Sequence, residues 1–73
     1  MIYELWETST GNLIGSYDSE QEALEIVRAA VDADGPSAAD SILLGLEDGG
    51  ASSFVAEGTD LVELALRRGA ATT

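Results

Sequence analysis

The sequence predicts an α+β domain of ββαββα order, in which an antiparallel sheet packs against two short helices in a two-layer arrangement. Two observations support this prediction. Each half of the chain contains two short β-prone runs separated by a glycine-containing turn, and each pair of runs precedes a segment with apolar residues at helical spacing. The domain is predicted to span residues 1–69, with residues 70–73 as a frayed C-terminal tail.

The first two runs, residues 2–7 and 13–17, flank a loop that contains Gly11. Such a pattern is typical of a β-hairpin. If Gly11 takes the left-handed position of a three-residue loop, Thr8 faces Asn12 and the register of the strands follows. It places Tyr3 opposite Tyr17, Leu5 opposite Gly15, and Trp6 opposite Ile14, with Gly15 leaving room for the first helix.

A capping box predicts the start of the first helix. Ser19 is placed to accept a hydrogen bond from the first turn, and Glu22 stands three residues later. Apolar residues then recur at helical spacing over residues 23–31. Gly35 followed by Pro36 ends the helix, because glycine tolerates the left-handed position and proline cannot continue the hydrogen-bond ladder.

The second half of the chain repeats this order. Residues 41–46 are nearly all apolar, as expected for a strand buried on both faces, and residues 47–52 form a turn before a fourth strand at 53–56. This hairpin is predicted to be looser than the first. The last helix is predicted to begin at Thr59 or Asp60 and to end at residues 67–69.

The register predicts which side chains bind a partner. Two helices this short can both cover only one face of the sheet, which leaves apolar residues exposed on the second face. The predicted partner-binding residues are Ile2, Trp6, Ile14 and Leu43. The alternative is a three-layer arrangement with one helix on each face, in which Trp6 belongs to the core.

Composition favours binding over catalysis. The chain contains no His, Cys or Lys, the side chains most often used as proton carriers and nucleophiles, so we expect no enzyme activity, cofactor or metal site. A run at residues 32–35 resembles the opening of a calcium loop, but its glycine comes too early and position twelve is Leu43, so a helix C-terminus is the better interpretation.

Charge limits the choice of partner. The formal net charge of −11 opposes binding to nucleic acid and to acidic membranes.

We see neither a signal peptide nor an apolar run near the ~18 residues of a membrane span, so a cytoplasmic protein is expected. All three basic residues are arginine, which together with abundant Ala, Gly and Asp suggests a GC-rich bacterial genome.

Residues 3–7, 9–14 and 18–24, and the closing segment from Ala56 onward, carry a resemblance. They resemble small uncharacterised bacterial proteins that open with a YELW strand, an SGN-like turn and a glutamate-rich helix ending in EAL. The turn here, residues 9–12, is one residue longer than SGN. The resemblance implies a shared fold and does not indicate an activity.

The hairpin and the helix that carries Glu-Ala-Leu at residues 22–24 also resemble the start of HicB-like antitoxins, whose acidic domain occludes a small basic toxin.

The sheet face, the charge and this resemblance together leave two expected functions. The first is a protein-interaction or regulatory module, which includes a homodimer formed through the second sheet face. The alternative is an antitoxin-like or nucleic-acid-mimicking inhibitor that binds a basic protein through its acidic surface.

Overall fold

The computed structural model describes residues 1–71, with side-chain detail for residues 1–67. Four strands and two helices follow one another along the chain, with a short 3₁₀ helix at Pro36–Ala39. In chain order they are β1 (Ile2–Glu7), β2 (Asn12–Tyr17), α1 (Glu20–Asp34), β3 (Ile42–Asp48), β4 (Ala51–Glu57) and α2 (Gly58–Ala71). The predicted ββαββα order and α+β class are confirmed.

The strands form one antiparallel sheet in the order β2-β1-β3-β4. The first strand of each hairpin lies in the middle, where β1 pairs with β3 in a regular register that places Leu5 opposite Leu44 and Trp6 opposite Leu43. The second strand of each hairpin is therefore an edge strand.

Both helices cover the same face of the sheet. Directly opposed residues of antiparallel strands share a face, and Leu5, Leu44 and Ala56 lie in one such row across β1, β3 and β4. These three form one buried cluster with residues of both helices and of the 3₁₀ helix, namely Ala23, Leu24, Val27, Ala39, Leu61, Val62 and Ala65. The predicted two-layer arrangement is confirmed, and the three-layer alternative is wrong.

The ends of α1 follow the sequence signals. Ser19 has an extended backbone, and its Oγ accepts a hydrogen bond from the Glu22 amide at 3.2 Å. At the other end, Gly35 has a φ of 88°, and its N–H donates to the Val31 carbonyl at 2.7 Å. The acidic run at residues 32–35 is therefore the C-terminus of a helix, as interpreted from the sequence.

The first hairpin departs from the predicted register near its loop. Tyr3 opposite Tyr17 and Leu5 opposite Gly15 are confirmed, but Trp6 lies opposite Leu13 and not Ile14. The loop between Glu7 and Asn12 has four residues instead of three, with Gly11 at a φ of 74°. A bulge in β2 absorbs the one-residue shift, and Ile14 is the extra residue.

The second hairpin is tighter than the first, which corrects the sequence prediction. Asp48 pairs with Ala51 across a two-residue turn made of Gly49 and Gly50, whose φ angles are 60° and 91°. A type I′ turn needs positive φ at both central residues, and two glycines adopt it without steric cost. The register shifts once more farther along β4, between the Leu44–Ala56 and Gly45–Phe54 pairs.

Gly15 has a neighbour other than the predicted one. A side chain at this position would place its Cβ 2.5 Å from Tyr17 Oη and 2.9 Å from Tyr17 Cζ. The ring of Tyr17, two residues along the same edge strand, therefore occupies the space in which the first helix was expected to pack.

Helix α2 begins at Gly58, one residue before the predicted start, and continues to Ala71, past the predicted end at Gly69. Thr72 and Thr73, half of the predicted frayed tail, lie outside the described residues. Within residues 1–71, neither helix combines the length and the hydropathy needed to cross a membrane.

Candidate functional site

The sheet face turned away from the helices is called the open face here, since no helix of residues 1–71 packs on it. Its residues follow from the strand pairing and from the alternation of side chains along each strand. They are Ile2, Glu4, Trp6, Leu13, Ser16, Leu43, Gly45, Glu47, Ser52, Phe54 and Glu57.

Three of the four predicted partner-binding residues belong to the open face. Ile2, Trp6 and Leu43 are each half-buried, and Trp6 and Leu43 lie directly opposite each other on β1 and β3. Trp6 is therefore not part of the helix-covered core. The expectation that β3 is buried on both faces is wrong, because the helices cover only one of them.

Ile14 is the fourth predicted residue, and the structure does not place it beside Trp6. As the extra residue of the β2 bulge, it has no partner on β1, and 45% of its surface is exposed. Leu13 takes the predicted position opposite Trp6 and is 46% exposed. The sequence did contain a signal for this shift, because the turn is one residue longer than SGN. A longer loop changes the register and brings Leu13 opposite Trp6.

Phe54 is the residue of the open face that the sequence prediction missed. It lies on the edge strand β4 opposite Gly45, and 62% of its surface is exposed. A large aromatic side chain after three small residues, Ala51 to Ser53, was a signal in the sequence. The sequence pattern did not show which face Phe54 occupies, because the extra residue of the β4 bulge reverses the alternation of side chains beyond the bulge.

Gly45 forms the floor of an open depression in this face, with a volume of about 260 Å³. Trp6, Leu43 and Phe54 provide apolar walls, and Glu4 adds a carboxylate. A Cβ at Gly45 would meet only the Ser53 carbonyl oxygen at 3.5 Å and Leu43 Cδ2 at 3.8 Å. The missing side chain of Gly45 thus helps to create the depression.

The open face carries negative charge only. Glu4, Glu47 and Glu57 lie on it, and the four strands contain no Lys or Arg. Arg28 and Arg67 belong to the helical layer. Within the described part of the chain, no group of three or more His, Cys, Asp or Glu is arranged to hold a metal ion.

Hydrogen bonds order the loop that joins β1 to β2 at one end of this face. The Glu7 carboxylate accepts a hydrogen bond from the Ser9 hydroxyl and another from the Thr10 amide at 3.0 Å. The Ser9 hydroxyl is the main cause that lowers the pKa of Glu7. Thr8 ties the loop to the start of β3, because its N–H and Oγ1 donate to the Ser41 carbonyl at 2.7 Å and 3.2 Å.

The open face therefore offers an aromatic and aliphatic surface that no helix of residues 1–71 covers, a depression, and the three carboxylates of Glu4, Glu47 and Glu57. It is suited to contact with apolar and cationic groups. Comparison with protein-family models, with curated proteins and with solved structures finds no significant match.

Proposed function

We propose that the protein is a small interaction module that binds another protein through the open face. The observation that carries this proposal is the opposed pair of Trp6 and Leu43 in the middle of the sheet, on the side that no helix covers. Leu13 and Phe54 extend the apolar surface onto both edge strands.

The energetics favour a binding surface. An apolar face of a sheet is normally covered, because each Å² of apolar surface removed from water contributes about 25 cal/mol. Tryptophan is also enriched among the residues that dominate binding energy at protein interfaces. A partner that covered Trp6, Leu43 and Phe54 would complete the burial that the two helices provide on the other face.

The proposed function is binding without catalysis. The chain has no His, Cys or Lys from which to build the usual acid–base or nucleophilic machinery. The proposal instead uses the groups that the open face presents, which are apolar side chains and carboxylates.

A second candidate follows from the net charge of −11. In this alternative, the protein is an antitoxin-like or nucleic-acid-mimicking inhibitor, and the carboxylates themselves are the binding surface for a basic protein. Ionic strength separates the two candidates, because salt screens contacts between exposed charges and leaves apolar contacts largely intact. A complex held mainly by the apolar side chains of the open face keeps most of its affinity between 50 mM and 500 mM salt, whereas one held mainly by carboxylates loses it.

The experiment is affinity capture from an extract of the source cells, with four baits compared side by side. They are the wild-type chain, Trp6→Ala, Phe54→Ser and the control Ile26→Ser. Ile26 is an exposed apolar residue of α1, in the helical layer, so its change removes exposed apolar surface away from the open face. Circular dichroism checks that each bait is folded.

We expect a partner that the wild type and Ile26→Ser retain and that both open-face variants lose. A partner retained equally by all four baits would place the binding surface elsewhere and contradict the proposal. Light scattering of the wild type tests a second copy of the chain as the occupant, since only a homodimer would dissociate on Trp6→Ala without any other protein present.

A further inference from the structure

We propose that the depression over Gly45 receives an arginine side chain from a short segment of the partner protein. This inference rests on the proposed function and specifies the chemistry of its partner.

The size of the depression fits one long side chain. An arginine side chain has seven non-hydrogen atoms, and at no more than the ~30 Å³ that a water molecule takes for each of them it fits within a volume of about 260 Å³. Sites for whole small molecules usually enclose about 300–1,000 Å³ and bury most of the ligand. This depression is smaller and open on one side.

The walls match the two parts of that side chain. Leu43 and Phe54 offer apolar contact to the methylene stem. The guanidinium is flat and weakly hydrated, so it stacks on aromatic faces such as that of Trp6 and can form paired hydrogen bonds with a carboxylate such as that of Glu4. An acidic or a purely apolar side chain would leave one of these groups unmatched.

Charge complementarity selects a cationic occupant over a second copy of the chain. A two-fold symmetric dimer uses the same surface of both copies. Two open faces stacked in this way would place six carboxylates, Glu4, Glu47 and Glu57 of each copy, in one interface, and the strands supply no Lys or Arg to compensate. Like charges that face each other across an interface lower the affinity. An arginine avoids this penalty, because every charged group on the open face is a carboxylate.

The area of the open face also favours a short segment. Four strands of six or seven residues, spaced ~4.8 Å apart and rising ~3.3 Å per residue, present roughly 400 Å². A standard stable interface buries about 800 Å² on each partner. The face therefore matches a helix or strand laid across it better than it matches a second globular surface.

The test uses the full chain labelled with ¹⁵N and two capped pentapeptides, each with a central residue flanked by leucine and then serine. The central residue is arginine in one peptide and citrulline, its neutral counterpart of the same shape, in the other. We expect the arginine peptide to bind at least about fivefold more tightly, because hydrogen bonds to charged groups are the stronger ones. The amide shifts that change should surround Gly45 on β1, β3 and β4.

Three variants locate the site. Glu4→Gln should lower the affinity for the arginine peptide to that for the citrulline peptide, and Gly45→Val should fill the depression and remove binding of both. Glu25→Gln is the matched control, because it changes the net charge equally but lies on the exposed surface of α1. It should leave the affinity within about twofold of the wild type. If Gly45→Val does not fold, Gly45→Ala replaces it in the experiment. We expect this smaller side chain to cause a partial loss of affinity for both peptides.

Equal affinity for the two peptides would overturn the arginine assignment and leave the open face as an interaction surface. Equal losses of affinity for the arginine peptide in Glu4→Gln and Glu25→Gln would mean that only long-range attraction to the net negative charge is at work, and would overturn the proposed site. No binding of either peptide at 1 mM would also overturn this inference, whereas the proposed function depends on whether Trp6→Ala and Phe54→Ser lose the captured partner.

Discussion

Leu43 and Leu44 are neighbours on β3, yet they belong to different environments. Leu44 is fully buried between the sheet and the helices, whereas Leu43 is half-buried on the open face opposite Trp6. The same residue type thus occurs at adjacent positions, one in the core and one at the proposed binding surface. This pair separates the contribution of a leucine to folding from its contribution to binding.

Leu44→Ala should destabilise the fold far more than Leu43→Ala. Removing a fully buried leucine side chain costs about 2–5 kcal/mol, a large share of the few kcal/mol that stabilise a chain of this length. We expect about 1 kcal/mol or less for Leu43→Ala, because its side chain already contacts solvent. Urea unfolding followed by circular dichroism measures both free energies of unfolding. Equal losses would mean that the open face is covered in the folded protein.

Two glycine-to-alanine substitutions should have effects of opposite sign. Gly45 has room for a Cβ, so Gly45→Ala should stabilise β3 by about 0.5–1 kcal/mol through the lower entropy of the unfolded chain. Gly50 has a φ of 91°, which alanine rarely adopts, so Gly50→Ala should destabilise the turn by about 1 kcal/mol or more although its Cβ would meet open space. Thermal unfolding of both variants against the wild type is the measurement. A destabilised Gly45→Ala would show that the floor of the depression is more crowded than the structure indicates.

Gly15→Ala tests the packing of Tyr17 on the edge strand. The new Cβ would overlap the tyrosine ring, which must swing away and lose its contact with the core, at a cost of about 1–2 kcal/mol. In a Tyr17→Ala background the same substitution should be nearly neutral or stabilising, since the obstacle is gone. The double-mutant cycle, measured by urea unfolding, reports this coupling. Equal costs of Gly15→Ala in both backgrounds would exclude the Tyr17 ring as the cause.

The sequence predicted most of the fold because its signals there are local. Ser19 and Gly35 mark the ends of α1 through hydrogen bonds with residues no more than four positions away, so a short pattern contains the needed information. The turn glycines work in the same way. The order of elements and the coverage of one face then follow from the length and spacing of these segments.

The open face was only partly predictable because its composition depends on register. Because of the four-residue loop before Asn12 and the bulge at Ile14, Leu13 lies beside Trp6 in place of the predicted Ile14. On β4, a second bulge brings Phe54 opposite Gly45. A strand pattern of period two does not reveal where an extra residue is inserted, and one insertion moves every later side chain to the other face. Ile2, Trp6 and Leu43 were placed correctly because β1 and β3 pair without any bulge.

The loop carboxylate of Glu7 should make a pH-dependent contribution to stability. Hydrogen bonds from Ser9 and Thr10 lower the pKa of Glu7 in the folded protein. A group with a lowered folded pKa stabilises the fold at pH values above its unfolded pKa, which is about 4.3 for glutamate, and this contribution is lost as the pH falls through the folded value. Glu7→Gln should therefore be less stable than the wild type at neutral pH, with a difference that shrinks below about pH 4.

The matched control for this prediction is Glu25→Gln on α1, because removing any carboxylate from a chain of net charge −11 also relieves repulsion. The stability of Glu7→Gln relative to Glu25→Gln isolates the loop hydrogen bonds from that general gain. Thermal unfolding of the two variants at intervals between pH 7 and pH 3 measures it. Since the Glu7 side chain lies at the surface, its hydrogen bonds compete with water, and the difference should be a small shift in Tm that disappears at the acid end. A difference that stayed constant down to pH 3 would show that the effect of Glu7→Gln does not come from the charge of Glu7.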